Sequence, residues 1–283
     1  ISLWCLGAQR KGMVIIMEQK RLKEILRLHE MWLNKKKEGK RADLTDTDLR
    51  HADLRHANLR GADLKGAILR YANLTNADLT EAVLIDTNLM NADLTDANLT
   101  DADLRDAVLK HAVLRNAILK DADLSFANLI ETVLTNADLM NANLMDANLT
   151  DANLSDTVLG QAVLIRAQLI RANLTKTILL RANLTEADLS DAVLTHASLK
   201  NAILKNTILR RADLTSTDID FSCWPLWCGS LDAKVDRRIA AQLAYHFCRL
   251  DCSDPSYIAA RNAIVDFANK FHLADDCGQL EKY

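Results

Sequence analysis

Seven residues with thiol or imidazole donors, Cys223, Cys228, His246, Cys248, Cys252, His272 and Cys277, fall within 55 residues of one another. Thiolate and imidazole are the ligands of tetrahedral zinc, so a metal centre is the first chemistry to weigh. The spacing C-x4-C followed by H-x-C-x3-C lacks the paired C-x2-C of zinc modules, and Cys or His at helical spacing is commonly a packing residue. Cys223, Cys228, His246, Cys248 and Cys252 are therefore weak metal candidates. No cysteine stands in a context that predicts a depressed pKa, and no phosphate-cradling glycine loop, G-x-S-x-G or H-E-x-x-H occurs. Enzymatic chemistry and a cofactor are not expected. The other grouping is acidic: Glu81, Asp101 and Asp121 recur every twenty residues, and Asp103 and Asp123 do so two places along. If the chain returns on itself every twenty residues, five carboxylates share one edge and form a surface for a basic partner or a cation.

A strict five-residue repeat places these residues. From Leu44 to Ile219 there are 36 consecutive units whose central position, here called i, is Leu in all but the last. Position i−2 is Ala in 29 units and Thr in 7, while the other three positions are mostly Asp, Asn, Thr, Lys, Arg and Glu. One large and one small inward residue per unit predict short extended sides joined by corners, repeated into a solenoid with a narrow interior. Residues stacked on successive coils share chemistry, and six of the nine i+1 residues taken every twenty from Arg55 are Thr. A coil of twenty residues and four sides follows, with stacked threonines as favourable neighbours. At i−1, Asp falls over Asp only at Asp43/Asp63 and Asp103/Asp123, as expected if stacked like charges are avoided. With 8 Gly and 2 Pro in 283 residues, something other than glycine and proline must turn the backbone.

Units such as "NADLT", "DANLT" and "RANLT" resemble the pentapeptide-repeat family, A(D/N)LXX, over roughly residues 41–220. The resemblance implies a mainly β fold: a right-handed, four-sided β-helix of about nine coils, about 43 Å long at ~4.8 Å per coil. Both ends of such a rod need covering. Residues 18–40 predict a capping helix with Leu22, Ile25, Leu26, His29, Trp32 and Leu33 on its inner face, His29 at the edge of the cap. Residues 221–283 predict a helical hairpin with Val235, Ile239, Leu243 and Phe247 on one helix and Ile264, Phe267, Ala268 and Phe271 on the other. Ser253 or Asp254 caps the second helix, Pro255 lies in its first turn, and Trp224 and Trp227 close the last coil. Residues 1–12 are expected to lie upstream of a natural start at Met13 or Met17, and residues 1–17 to be poorly ordered.

The surface varies where the interior does not. Residues 73–160 hold 15 acidic and 4 basic side chains. Basic bands flank them at Arg50, Arg55, Arg60, Lys65 and Arg70, and at Arg166, Arg171, Lys176 and Arg181, while Arg105 and Lys120 screen the acidic edge from within. Met140, Met145, Ile165, Ile170 and Leu180 are apolar at outward i+1 positions and form a candidate dimer patch. The function expected is a rigid, non-enzymatic scaffold for a protein partner, forming a homodimer through that patch or the C-terminal hairpin. A second reading rests on the resemblance, because some pentapeptide-repeat proteins mimic duplex DNA and bind type II topoisomerases such as gyrase. Those mimics carry Phe at some i positions and projecting loops, and this chain has neither. Metal binding by the C-terminal segment is a third. No apolar run reaches the ~18 residues of a membrane span, direct nucleic-acid binding is not expected, and six cysteines without a secreted disulfide framework point to the cytoplasm.

Overall fold

The computed structural model describes residues 15–16, 19–219, 234–248 and 255–269. One complete unit shows why a period of five is stable. Asn73 N–H donates to the Ala52 carbonyl, Leu74 N–H to Asp93 and Asn76 N–H to Thr95, all across coils at 2.7–2.9 Å. Ala77 N–H closes the corner on the Leu74 carbonyl at 2.9 Å. The fifth amide, Thr75 N–H, donates to Asn73 Oδ1 at 3.0 Å. Every N–H of the unit is thus used, which a buried or half-buried backbone requires. The corner forms because each residue at i+2, from Asp46 to Ser216, has φ between 52° and 65°. A positive φ at the third turn position is the mark of a type II turn, and Asp, Asn and His tolerate it where glycine is scarce.

The rung partners are offset by twenty residues from Asp43↔Asp63 through Ser198↔Asp218, all parallel. The result is a β-solenoid whose four-unit coil matches the period read from the stacked threonines, though for a different reason. The hydroxyls of Thr75, Thr95, Thr175 and Thr215 donate to the Asn or Asp two residues before them. Of that column only Thr175 and Thr195 approach each other, at 3.2 Å. Asp and Asn at i−1 therefore serve the turn as well as spacing charge. Twelve of the fourteen Thr and Ser at i+1 follow one of them.

Inside, the repeat leucines and alanines form one continuous buried cluster, joined by Leu22 and Ile239 from the helices. Burial of each leucine contributes on the order of 1.5–3 kcal/mol. The inward threonines Thr87, Thr132, Thr157, Thr177, Thr207 and Thr217 donate their hydroxyls to leucine carbonyls of the previous coil at 2.7–2.9 Å, so no polar group is stranded there.

At one end, β1 (Ile15–Ile16) pairs in parallel with β2 (Thr47–Asp48). Poor order was expected over residues 1–17; Ile15–Ile16 instead extends the ladder at the open edge of the first coil. Helix α1 (Gln19–Leu33) follows, with Leu22 buried and Ile25 and Leu26 against the leucine core. Trp32 does not join that inner face: it is exposed and stacks on His29 at 5.4 Å. Fully buried His29 accepts the Ala42 N–H through Nδ1 at 3.0 Å. Ala42 is the first i−2 residue, with no preceding leucine carbonyl to receive its amide, and the imidazole replaces it.

Burial lowers the His29 pKa below 6.5, assisted by the Arg41 charge and partly opposed by the nearby Arg60 backbone. The unfolded chain therefore takes up this proton first as pH falls. The stabilisation is complete above pH 6.5 and is lost as pH drops through the folded value. His29→Gln, which keeps an acceptor without titrating, should melt with a smaller decline between pH 7 and 5 than the parent chain. Identical declines would mean that His29 carries none of it.

At the other end Lys234 pairs with Asp213 in the next rung position. The Asp236 carboxylate accepts Ser216 N–H at 2.7 Å and Ile239 N–H at 3.0 Å, capping both the last corner and helix α2 (Arg237–Cys248). Ile239 is buried in the leucine core, with Val235 and Leu243 packed against it. Helix α3 (Pro255–Ala268) begins at Pro255 and packs on α2 through Tyr245, Cys248, Ala268, Ala244 and Ile264. Trp224, Trp227, Ser253, Asp254 and Phe271, and the side chain of Phe247, lie outside the described residues.

Candidate partner-binding surface

The acidic edge is brought together as the twenty-residue period implies. Asp103 and Asp123 are rung partners, and Glu81, Asp101 and Asp121 follow one another at the adjoining corner, each with φ near 57°. Most of these carboxylates are engaged. Arg105 grips Asp103 through two hydrogen bonds of 2.8 and 2.6 Å, and this holds the Asp103 carboxyl below its ordinary pKa. Glu81 pairs with Arg60 at 2.9 Å. Asp121 accepts Asn141 Nδ2 at 3.0 Å. Asp123 accepts the Ser125 amide and hydroxyl at 2.9 and 2.7 Å and Asn143 Nδ2 at 3.1 Å. Asp101 alone of the five has no side-chain partner among the described residues. Lys120 turns instead to Asp138 at 3.1 Å.

The basic bands are partly cancelled in the same manner. Arg50 and Arg55 pair with Asp48 and Asp53 of their own units, holding Asp53 at about 2. Arg166 and Arg171 reach Asp146 and Asp151 one coil below at 2.6 Å. Apart from Arg50–Asp48, whose carboxylate is buried, these are exposed pairs worth little stability singly, but they fix which charges remain available to a partner.

The five apolar residues of the candidate patch divide between three corners. Met145 and Ile165 stack at the far corner of the acidic side, Ile170 lies on the next corner, and Met140 and Leu180 flank Gly160 on the corner of Asp121. The sequence reading missed Phe126, the most exposed large apolar side chain among the described residues at 57%. It holds φ 60° at a corner where a bulky residue is strained. Phe126 N–H donates to the Met145 carbonyl, at the corner where the side of Asp103 and Asp123 ends. The signal was available, since Phe126 is the only Phe within residues 41–220. Outward Ile118 and Ile178 were also missed, because the apolar patch was drawn from i+1 positions alone although i−1 holds 12 Val or Ile.

Of the weak metal candidates, only the side chain of Cys248 is described. It is buried, its Sγ lies 3.9 Å from the Arg261 carbonyl, and burial raises its thiol pKa. Cys223, Cys228, Cys252, His272 and Cys277 and the His246 side chain lie outside the described residues, among which no cluster could hold a metal ion. A cleft of about 460 Å³ between α1 and the first coil is lined by Gln19, Lys23, Asp48, Arg50 and His51. Its Asp48 carboxylate is bound to Arg50. No helix among the described residues is long and apolar enough to cross a membrane.

The model of the family "Pentapeptide repeats" matches residues 42–80, 72–110, 107–145, 142–181 and 182–220. A search of curated proteins returns no match. Among solved structures, QnrB1, a plasmid-mediated fluoroquinolone resistance protein, is similar at 16% identity with a TM-score of 0.49, over 75% of this chain and 98% of that one. HetL, involved in heterocyst differentiation regulation in the cyanobacterium Nostoc sp. strain PCC 7120, is 32% identical over 77% of this chain and 94% of its own, with a TM-score of 0.28. Rfr23 from the cyanobacterium Cyanothece 51142 is 34% identical over 35% of this chain and 60% of its own, with a TM-score of 0.24.

Proposed function

Because the chain belongs to the pentapeptide-repeat family, we propose that it is a non-enzymatic rigid rod that displays a fixed surface to a protein partner and self-associates. In this reading the rod is a right-handed helix of nine four-sided coils, α1 and the C-terminal hairpin cover its ends, and it works in the cytoplasm. The observation that carries the reading is Phe126, exposed and at φ 60° at the corner where the side of Asp103 and Asp123 ends. Backbone strain and an exposed aromatic ring both oppose stability, and sites that retain such costs are candidates for binding. Met145 and Ile165 extend the apolar part, and Asp101 and Asp121 the acidic part. The partner that fits is a protein with an apolar pocket rimmed by Lys and Arg.

Phe126→Asn tests this with two readouts of opposite sign. Asn tolerates the left-handed region, so the variant should be more stable by about 0.5–1 kcal/mol, read as a raised melting temperature. Capture of host proteins by the full chain should fall, and fall further with Asp101→Asn and Asp103→Asn. A more stable variant with unchanged capture would remove Phe126 from the surface. The DNA-mimic reading, with a type II topoisomerase as target, draws on the acidic belt alone. Arg60, Arg105 and Lys120 neutralise part of that belt, which leaves this reading second. Inhibition of topoisomerase supercoiling that disappears in the Asp→Asn variants would promote it.

A further inference from the structure

Along the rod, each coil is finished by the one before it. The amide at i−1 donates to a carbonyl of that earlier coil, as Asn73 N–H does to Ala52, and the residue at i−2 is shut from water. The first coil has no coil before it, and α1 completes it unevenly. Ala42 is buried with its amide on His29, and Thr47 is buried where β1 pairs. Ala52 and Ala57 stay half-buried, alone among the 36 residues at i−2. At Ala52 the shortfall is the cleft of about 460 Å³ between α1 and the first coil. That size falls within the ~300–1,000 Å³ of small-molecule sites.

Three groups at the cleft lack a partner. Asp53 N–H, the counterpart of Asn73 N–H, has no acceptor among the described residues. His51 is stacked on one face by Tyr71 of the next coil, with ring centroids 5.1 Å apart and planes 5° from parallel, and the Arg70 guanidinium lies 5.6 Å over the Tyr71 ring. The other imidazole face looks away from that coil, towards the cleft that His51 lines. Lys23, on the α1 wall, forms no ion pair among the described residues. The two carboxylates at the cleft are already held, Asp48 by Nε and Nη2 of Arg50 and Asp53 by Arg55. Arg50 Nη1 keeps its donors without an acceptor among the described residues.

We propose that the cleft binds a nucleoside monophosphate, which supplies what a preceding coil would have supplied. Its base takes the place of a corner side chain and continues the Tyr71–His51 stack, as bases stack on aromatic side chains elsewhere. Its phosphate takes the place of the missing carbonyl. Asp53 N–H, Lys23 Nζ and Arg50 Nη1 are three donors, two of them cationic, and they match the three terminal oxygens of a phosphate. The site lies apart from the surface around Phe126 and does not rest on the partner reading.

Isothermal titration calorimetry of the full chain with adenosine monophosphate, adenosine and ribose phosphate tests the two halves of the ligand. The nucleotide should bind at least about tenfold tighter than either fragment. His51→Ala should weaken the nucleotide and adenosine about tenfold, the worth of one stacked base, and leave ribose phosphate unchanged. Lys23→Glu should weaken the nucleotide and ribose phosphate about tenfold and spare adenosine. Both side chains are exposed, so far-UV circular dichroism should match the parent. In amide proton–nitrogen NMR spectra Asp53 should shift with the nucleotide and with ribose phosphate, while Asp123 should not. A chain that binds none of the three overturns the proposal. So does nucleotide binding indifferent to both variants, or a phosphate response without the Asp53 shift, since each places the anion elsewhere on the surface. A phosphorylated single-stranded oligonucleotide carries the same ring and anion. Affinity no higher than that of the free nucleotide keeps the mononucleotide as ligand, whereas affinity more than about tenfold higher overturns it in favour of the end of a strand.

Discussion

Leu124→Asp should yield no soluble rod. Leu124 is fully buried, and Leu104 and Leu144 stand above and below it in the leucine column. The substitution forfeits about 1.5–3 kcal/mol of apolar burial. It also leaves a carboxylate that no neighbour can pair with, at a further cost of several kcal/mol. Together these rival the ~5–15 kcal/mol of a whole domain. Since each coil rests only on its neighbours, there is no remote core to hold the two halves in register. Leu124→Met, which conserves volume, should cost less than about 1.5 kcal/mol. Circular dichroism and solubility distinguish the two, and a soluble Leu124→Asp chain with the parent β spectrum would contradict the dry interior described above.

Gly39→Ala should have the next largest effect. A Cβ at residue 39 would overlap the backbone nitrogen and Cα of Trp32 and the carbonyl carbon of Met31, none of which can swing aside as a side-chain tip would. The loop after α1 is tied there by Gly39 N–H to the Lys36 carbonyl and Lys40 N–H to the Leu28 carbonyl, both at 2.9 Å. Displacing it pulls Ala42 away from His29 and uncovers the first coil. The expected loss is about 3 kcal/mol, at the upper end of overpacking costs, and it should be local. Hydrogen exchange should accelerate over residues 19–60 and stay unchanged around Leu124. Unaltered protection at Ala42 would show that the loop absorbs the methyl group.

Much of the rod was legible because its rules are local and repeated. The Leu and Ala or Thr positions named the interior, and the twenty-residue recurrence named the rung partners, down to Asp103 over Asp123. What failed to show was whatever depends on an individual hydrogen bond. The role of Asx at i−1 in holding the i+1 amide was hidden, because Asp and Asn there also fit a charge-spacing rule. Lys120 screening the acidic edge was a guess from proximity along the chain, while the side chain reaches Asp138 one coil on. Trp32 kept helical spacing with Leu22 and His29 yet finds the core already closed by the imidazole, so it stacks outside. Phe126 was overlooked because the repeat was scored by its inward positions, whereas a corner residue is judged by φ. The metal candidates could not be resolved by spacing, since Cys248 faces a carbonyl within the helical pair and the others lie outside the described residues.

The constant offset of twenty between rung partners also makes the surface a matter of angular phase. Deleting one five-residue unit leaves every leucine inward, every Asx turn closed and every amide paired, so the rod loses almost no stability. Yet all residues beyond the cut rotate by a quarter revolution relative to those before it. Loss of residues 131–135 would carry Met145 into the place Met140 now holds and take it away from Phe126. A change invisible to folding would scramble every surface that spans the junction, and only deletions of whole coils would keep the two halves in phase.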